Sequence, residues 1–226
     1  MAIRAVWTDF GGVLTPPIEA TMAAFCRPMG LEPELLRRAM YEVAARYGTD
    51  VMAPLDTPIV SESEWSRQVE EVLRTEHGTM VDLSDFAAKW FTDRQVNEPW
   101  LARLAELRDA GYRIGVLSNM VPSWDEHWRR MVPAELFDEI VLSFQVGHRK
   151  PEPGIFRLAA ERLGLRPEEC LLVDDLGVNC TGARAAGWHA VHFTGTAEAL
   201  ARLAGFTGAG GETPADQLAS AQEGKR

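Results

Sequence analysis

Short apolar runs alternate with segments of helical periodicity from residue 97 onward, and this alternation is the strongest constraint on the fold. A helical stripe begins at Asn97 and is closed by Gly111, an apolar run covers residues 112–117, and a second helix opens near Pro122. The pattern continues with strand-like runs at about 140–144, 171–173 and 190–193 and with helices at 153–163 and up to residue 187. Strands joined by helices pair in parallel through right-handed crossovers. The sequence therefore predicts an α/β fold with a parallel sheet flanked by helices.

Three of the strand-like runs, including a first one at residues 3–8, end in side chains that can do chemistry. They are followed by Asp9, by Ser118 and Asn119, and by Asp174 and Asp175. Taken singly, such residues are more often loop or helix-capping groups than catalytic ones. Parallel strands present their carboxyl ends at one edge of a sheet, however, so we expect these side chains to share a site. Adjacent carboxylates repel each other, and the Asp174–Asp175 pair therefore indicates a bound cation.

A lysine with a restricted backbone lies between the second and third of these segments. Pro151 and Pro153 hold the chain extended around Lys150, just before a predicted helix. A lone lysine is usually a solvated surface charge, but this one has a fixed direction. Arg149, its neighbour, could contact an anionic ligand.

The order Asp9, Ser118, Lys150, Asp174–Asp175 resembles the four-motif pattern of the haloacid dehalogenase (HAD) superfamily, over residues 1 to about 200. The sequence is most similar to members with a C1-type helical cap inserted after the first motif. These include sugar-phosphate phosphatases and the N-terminal phosphatase domain of soluble epoxide hydrolases. The resemblance implies a Rossmann-like core with an inserted all-helical cap domain.

The resemblance also implies catalytic roles. Asp9 would attack phosphorus and form an aspartyl-phosphate that water then hydrolyses, with Ser118 and Lys150 completing the catalytic set. Ser118, Asn119, Lys150 and Arg149 would bind the phosphorylated substrate. Such covalent catalysis divides one difficult displacement into two easier steps.

A Mg²⁺ ion is implied by the same resemblance. Its ligands would be the side chains of Asp9, Asp174 and Asp175 and the backbone carbonyl of Gly11. Asn179 would orient the loop or the acidic pair. Positive charge at this position is needed because a dianionic phosphoryl group repels an approaching carboxylate.

Gly11 is a departure from the family pattern, which has a second Asp two residues after the nucleophile. That Asp protonates the leaving group, and such acid–base help contributes typically about 10²- to 10⁴-fold. A cap residue or the substrate could supply the proton, the leaving group could depart without it, or the chain could bind without turnover. Dehalogenases of the superfamily also lack the second Asp and work without metal. The Asp174–Asp175 pair favours the phosphatase, because two carboxylates beside an anionic nucleophile make poor sense without a cation.

Residues 16–96 contain almost no strand signal. Leu36, Met40, Val43 and Tyr47 recur at helical spacing, and Ser61 and the residues after it resemble a capping box. We therefore predict a core domain from residues 1–15 and 97–205 and a helical cap domain from residues 16–96. Residues 206–226 are predicted to form a flexible tail.

Composition excludes several other classes. The net charge of −10 argues against nucleic acid or an anionic membrane as a partner, and no apolar stretch approaches the ~20 residues that span a bilayer. The three cysteines are odd in number and scattered, which disfavours a disulfide framework. The sequence predicts a cytoplasmic enzyme acting on a small phosphorylated molecule and leaves its oligomeric state open.

Overall fold

The computed structural model describes residues 2–207, and its centre is a parallel five-stranded sheet. The strands are β1 (Ala5–Thr8), β2 (Arg113–Ser118), β3 (Glu139–Leu142), β4 (Cys170–Asp174) and β5 (His189–His192). Their order across the sheet is β3-β2-β1-β4-β5, which puts β1 in the middle. This confirms the predicted α/β fold with a Rossmann-like parallel sheet.

Helices account for most of the remaining described chain. Between β1 and β2 lie α1 (Ile18–Cys26), α2 (Pro33–Arg46), α3 (Ala53–Asp56), α4 (Glu62–His77) and α5 (Phe86–Phe91), followed by α6 (Glu98–Asp109). After β2 come α7 (Asp125–Arg129), α8 (Ser143–Val146), α9 (Pro153–Arg162), α10 (Gly177–Ala185) and α11 (Thr196–Thr207). We refer to residues 18–91, which carry α1 to α5, as the helical insertion.

Both faces of the sheet are buried, because helices pack against each of them. Successive residues of a strand point to opposite faces, so neighbouring residues pack in different clusters. Val6 of β1 packs in the cluster that contains residues of α6 and α11, while Trp7 packs in the cluster that contains residues of α9 and α10. Gly115 of β2 pairs with Trp7, and the indole ring occupies the space that a side chain at position 115 would need. The three central strands, β1, β2 and β4, consequently consist mainly of apolar residues, as buried parallel strands do.

The helical insertion has an aromatic core. The ring of Phe86 lies 4.5 Å from that of Phe25 and 5.4 Å from that of Trp65, measured between centroids. Ser61 caps α4 by accepting a hydrogen bond from the Glu64 amide at 3.2 Å, at the position where the sequence predicts a helix start. The division into a core domain and a separate cap domain stays a prediction.

The third strand ends earlier than its sequence suggests. Ser143 and Phe144 were expected to extend it, but they begin α8. The buried Ser143 hydroxyl accepts a hydrogen bond from the Met120 amide at 3.0 Å and donates one to the Asp56 carbonyl at 2.7 Å, which turns the chain away from the sheet. Helix α11 runs through Thr207, and the rest of the predicted tail lies outside the described residues. Across residues 2–207, no helix has both the length and the apolar character needed to cross a membrane.

Candidate active site

Asp9 lies at the carboxyl end of the central strand. Its amide donates to the Val173 carbonyl at 2.9 Å, which continues the pairing of β1 with β4, and its Oδ1 accepts a hydrogen bond from the Phe10 amide at 2.7 Å. The turn that follows needs glycine at position 12. Gly12 has φ +77°, and a Cβ there would overlap the carboxylate of Asp175. The glycine therefore lets the turn pass directly against the second acidic strand end.

Lys150 connects Asp9 to that second strand end. Its Nζ lies 3.0 Å from Asp9 Oδ1 and 2.5 Å from Asp174 Oδ2, and its side chain is 1% exposed. Asn119 fixes the lysine backbone at both polar atoms: its Nδ2 donates to the Lys150 carbonyl at 2.9 Å, and its Oδ1 accepts from the Lys150 amide at 2.8 Å. Burial lowers the pKa of Lys150, but the charges of Asp174 and Asp9 outweigh this, so its pKa lies above the usual value and the ammonium stays protonated.

Asp174 is fully buried and has a defined partner for each oxygen. Its Oδ1 accepts hydrogen bonds from the Leu176 amide and from Asn179 Nδ2, both at 2.9 Å, while its Oδ2 faces Lys150. Asn179 thus contacts one residue of the acidic pair, and its predicted role in orienting the loop or the pair stays a prediction. Asp174 is consequently held in one orientation by backbone, amide and ammonium donors.

Three carboxylates meet at this edge of the sheet. One oxygen each of Asp9, Asp174 and Asp175 lie within 4.8 Å of one another. Burial raises the pKa of Asp9, and nearby Asp174 adds to the effect, while Lys150 and a hydrogen bond from Ser118 oppose it. Burial, together with the charges of Asp9 and Asp174, raises the pKa of Asp175 to about 7.

The charge of the cluster fits a divalent cation. Three carboxylates share the single ammonium of Lys150, so negative charge is in excess wherever all three are ionised. Hard cations such as Mg²⁺ are bound by carboxylate and carbonyl oxygens, and a cation here would relieve the repulsion that raises the pKa of Asp175. The residues present therefore suit Mg²⁺.

Arg149 turns towards the helical insertion. Its Nε and Nη2 each lie 2.8 Å from an oxygen of Asp56, and its Nη1 contacts Asp50. Its predicted role in substrate binding stays a prediction. Ser118 lies at the end of β2 and is buried, and its interaction with Asp9 lowers the pKa of that carboxyl group, so the predicted phosphoryl-binding hydroxyl is near the predicted nucleophile.

Arg94 is a candidate that the sequence did not reveal. Its Nη2 lies 3.9 Å from the point where a Cβ on Gly11 would stand, two residues after Asp9. Along the chain it is one charged residue in a polar connecting segment, with no periodicity or motif to mark it. Only the folding of that segment against the first turn brings it to the site.

Sequence comparisons place these residues in a family. Residues 3–187 match the model for haloacid dehalogenase-like hydrolases. The chain is 26% identical over 224 residues to bifunctional epoxide hydrolase 2 of Rattus norvegicus, a match covering 92% of this chain and 39% of that protein. It is 38% identical over 87 residues to a glyceraldehyde 3-phosphate phosphatase of Methanopyrus kandleri, covering 37% of each chain. The chain thus spans about two fifths of the length of the first two curated relatives it matches, the rat and Sus scrofa epoxide hydrolases.

Solved structures share the fold at low sequence identity. An L-2-haloacid dehalogenase from Xanthobacter autotrophicus superposes with a TM-score of 0.64 at 23% identity, covering 96% of this chain and 87% of that one. A HAD family enzyme from Bacteroides thetaiotaomicron, in complex with magnesium and inorganic phosphate, gives a TM-score of 0.59 at 22% identity, covering 84% and 93%. With the family match over residues 3–187, the strand order and the acidic strand ends, these likenesses lead to one conclusion: the chain belongs to the haloacid dehalogenase-like hydrolases.

Proposed function

We propose that the protein is a Mg²⁺-dependent phosphatase that cleaves a small phosphomonoester through an aspartyl-phosphate on Asp9. The observation that carries this proposal is the buried contact of Asp9 with Lys150 beside two further carboxylates. A carboxylate at a strand end, held by an ammonium group and open to a neighbouring cation, is equipped to attack phosphorus.

The reaction proceeds in two balanced steps. In the first, an Asp9 oxygen forms a bond to phosphorus while the bond from phosphorus to the ester oxygen breaks, and the leaving alkoxide takes up a proton from solvent. In the second, water attacks phosphorus and gives up a proton to solvent, the bond from Asp9 to phosphorus breaks, and orthophosphate leaves with Asp9 regenerated. Lys150 orients Asp9 and balances negative charge, and Ser118 donates to a phosphoryl oxygen.

The residues that would hold Mg²⁺ are Asp9, Asp174, Asp175 and the Gly11 carbonyl. When bound, the ion supplies positive charge that offsets the repulsion between the phosphoryl group and Asp9. Asn179 keeps Asp174 in the orientation that this requires. We propose a small phosphorylated metabolite as the substrate, since the partly matching Methanopyrus kandleri protein is a phosphatase of such a compound. A cytoplasmic setting is also proposed, because the three cysteines are free thiols.

The decisive experiment measures phosphate release from a panel of phosphomonoesters, including activated aryl phosphates, with Mg²⁺ and with EDTA. We expect hydrolysis that depends on Mg²⁺ and falls at least about 10³-fold in Asp9→Asn, since removing a nucleophile disables the covalent path. Asp109→Asn, an exposed change of the same chemistry at the end of α6, should leave the rate unchanged.

Two outcomes would contradict the proposal. Undiminished phosphate release by Asp9→Asn would remove Asp9 from the chemistry. Halide release from 2-haloacids that persists in EDTA, with no phosphate release from any ester, would make the protein a dehalogenase instead.

A further inference from the structure

Arg94 occupies an unusual environment next to the proposed nucleophile. It lies in the segment that connects α5 to α6 and returns the chain from the helical insertion to the sheet. The carbon of its guanidinium lies 5.3 Å from the ring centroid of Phe10, 5.2 Å from that of Phe91 and 5.9 Å from that of Trp90. Three aromatic rings from two parts of the chain therefore enclose the charged group.

The guanidinium has hydrogen-bond donors without acceptors. Its Nε and Nη1 are buried and have no hydrogen-bond partner, and among residues 2–207 no carboxylate lies within ion-pair distance of it. Burial lowers the pKa of Arg94 to about 10, and the charge of Asp9 opposes this effect. The group is therefore still positively charged at neutral pH. A buried charge with unmet donors is costly unless a ligand satisfies it.

The position of the guanidinium group relates it to the proposed reaction. Nη2 lies 3.9 Å from the point where a Cβ on Gly11 would stand, and Gly11 adopts an ordinary backbone conformation with open space beside it. Asp9, two residues earlier, has its Oδ1 engaged by Lys150 and by the Phe10 amide. The guanidinium thus lies beside Gly11, two residues after the proposed nucleophile, where the chain supplies no acidic side chain.

We propose that Arg94 is a substrate-binding residue whose guanidinium donates hydrogen bonds to oxygens of the phosphoryl group. The inference rests on the proposed function for its substrate. A planar guanidinium offers several donors in a fixed arrangement that matches phosphate oxygens. Its positive charge stabilises negative charge on the phosphoryl group without giving up a proton. The charge on Asp9 and the incoming phosphate would then have balancing cations on two sides, Lys150 and Arg94.

The test measures the dissociation constant of orthophosphate by isothermal titration calorimetry, with and without Mg²⁺, for the whole chain. Arg94→Gln should weaken phosphate binding roughly 10- to 100-fold, the usual effect of losing charge-assisted hydrogen bonds. Arg94→Lys keeps the charge and should recover part of the loss. Arg27→Gln is the matched control, because Arg27 is exposed and lines a surface groove that Arg94 also lines; this change should leave binding unaltered.

A structural role would give different results. Arg94→Met retains apolar packing against Phe10 and Trp90, so this variant should keep its thermal transition while binding phosphate as weakly as Arg94→Gln. Millimolar guanidinium ion added to Arg94→Ala should restore part of the phosphate affinity, which a packing defect would not allow. Unchanged phosphate affinity in folded Arg94→Gln or Arg94→Met would overturn the inference, as would a wild-type protein that binds no phosphate.

The two proposals can fail separately. Hydrolysis that requires Asp9, combined with phosphate binding indifferent to position 94, would uphold the phosphatase and overturn the role of Arg94. Phosphate binding that requires Arg94, in a protein that hydrolyses no ester, would uphold the anion site and overturn the phosphatase.

Discussion

The two glycines after Asp9 serve different purposes. Gly12 has a positive φ and contacts the Asp175 side chain so closely that no Cβ fits between them. Gly11 has φ −70° and ψ 130°, a conformation open to any residue, and its surroundings leave room for a side chain. The residue at position 12 must therefore be glycine, both for space and for its backbone angles. Neither requirement applies at position 11, where glycine only leaves the turn without an acidic side chain.

A methyl group at position 12 should disturb the acidic cluster. In Gly12→Ala the new Cβ would force Asp175 out of its position and strain the backbone, so we expect Mg²⁺ affinity and kcat/KM to fall by at least about tenfold. Isothermal titration with Mg²⁺ checks the affinity. Gly78→Ala is a matched control, with φ +64° at the end of α4 and nothing within 4 Å of the new Cβ. Equal Mg²⁺ affinity in Gly12→Ala and wild type would refute the prediction.

Strand-end residues could be predicted at this scale, and Arg94 could not. Asp9 and Asp174 follow apolar runs directly, and the parallel sheet brings them to one edge with Lys150 between them. Arg94 becomes notable only because Phe10, from the distant first turn, packs beside it together with Phe91 and leaves its donors buried. Burial of that kind depends on tertiary packing, which leaves no periodic signal in the sequence.

At the level of elements, an ion pair ties the helical insertion to the loop before α9. Arg149 forms a bidentate salt bridge with Asp56 of α3, in which Nε and Nη2 each lie 2.8 Å from a carboxylate oxygen. The Asp56 side chain is only 2% exposed. The Asp56 carbonyl also accepts a hydrogen bond from Ser143, at the start of α8. Short elements from both parts of the chain are thereby joined at one buried residue.

Removing the Asp56 charge should destabilise the fold. Asp56→Asn leaves the Arg149 guanidinium without its buried partner, and such losses cost about 3–5 kcal/mol in the free energy of unfolding. Urea denaturation measures this quantity. Asp50→Asn removes the other partner, whose side chain is 58% exposed, and should cost less than about 1 kcal/mol. Similar losses in the two variants would show that burial of Asp56 carries no special weight.

The elements themselves were largely predictable because their periodicity is strong. Alternation of strands and helices after residue 97 identified the parallel sheet, and helical spacing around Met40 identified α2. The predicted end of β3 was wrong because the Ser143 hydroxyl forms hydrogen bonds with the backbone of Met120 and Asp56. A local sequence pattern does not encode such contacts. Hydrogen bonds from a side chain to the backbone compete with secondary structure, so they can end a strand before its apolar sequence ends.

For the molecule as a whole, the cysteines report on the integrity of the packing. Cys26, Cys170 and Cys180 are buried free thiols; Cys26 packs in one hydrophobic cluster, and Cys170 and Cys180 pack in the other. Burial raises the pKa of Cys26 and Cys180 to about 11 and that of Cys170 to about 12. A raised thiol pKa means that the neutral form persists to higher pH, so the reactive thiolate is scarce at pH 8.

Native protein should therefore resist thiol reagents. With Ellman's reagent at pH 8 we expect almost no reaction in the folded state and three thiols per chain in concentrated guanidinium chloride. Raising the pH from 7 to 9 should accelerate labelling of the denatured chain far more than labelling of the native one. Rapid stoichiometric labelling of the native protein would contradict the burial of these thiols.

The sheet order carries a consequence for protein synthesis. Asp9 directly follows β1, the strand of this sheet that is translated first, whereas its partners Val173 and Lys150 lie in β4 and in the segment that precedes α9. A nascent chain therefore carries the proposed nucleophile long before the lysine and the acidic pair have been translated. Under the proposed function, a chain truncated before Lys150 would carry Asp9 without the lysine and the acidic pair and would therefore lack phosphatase activity.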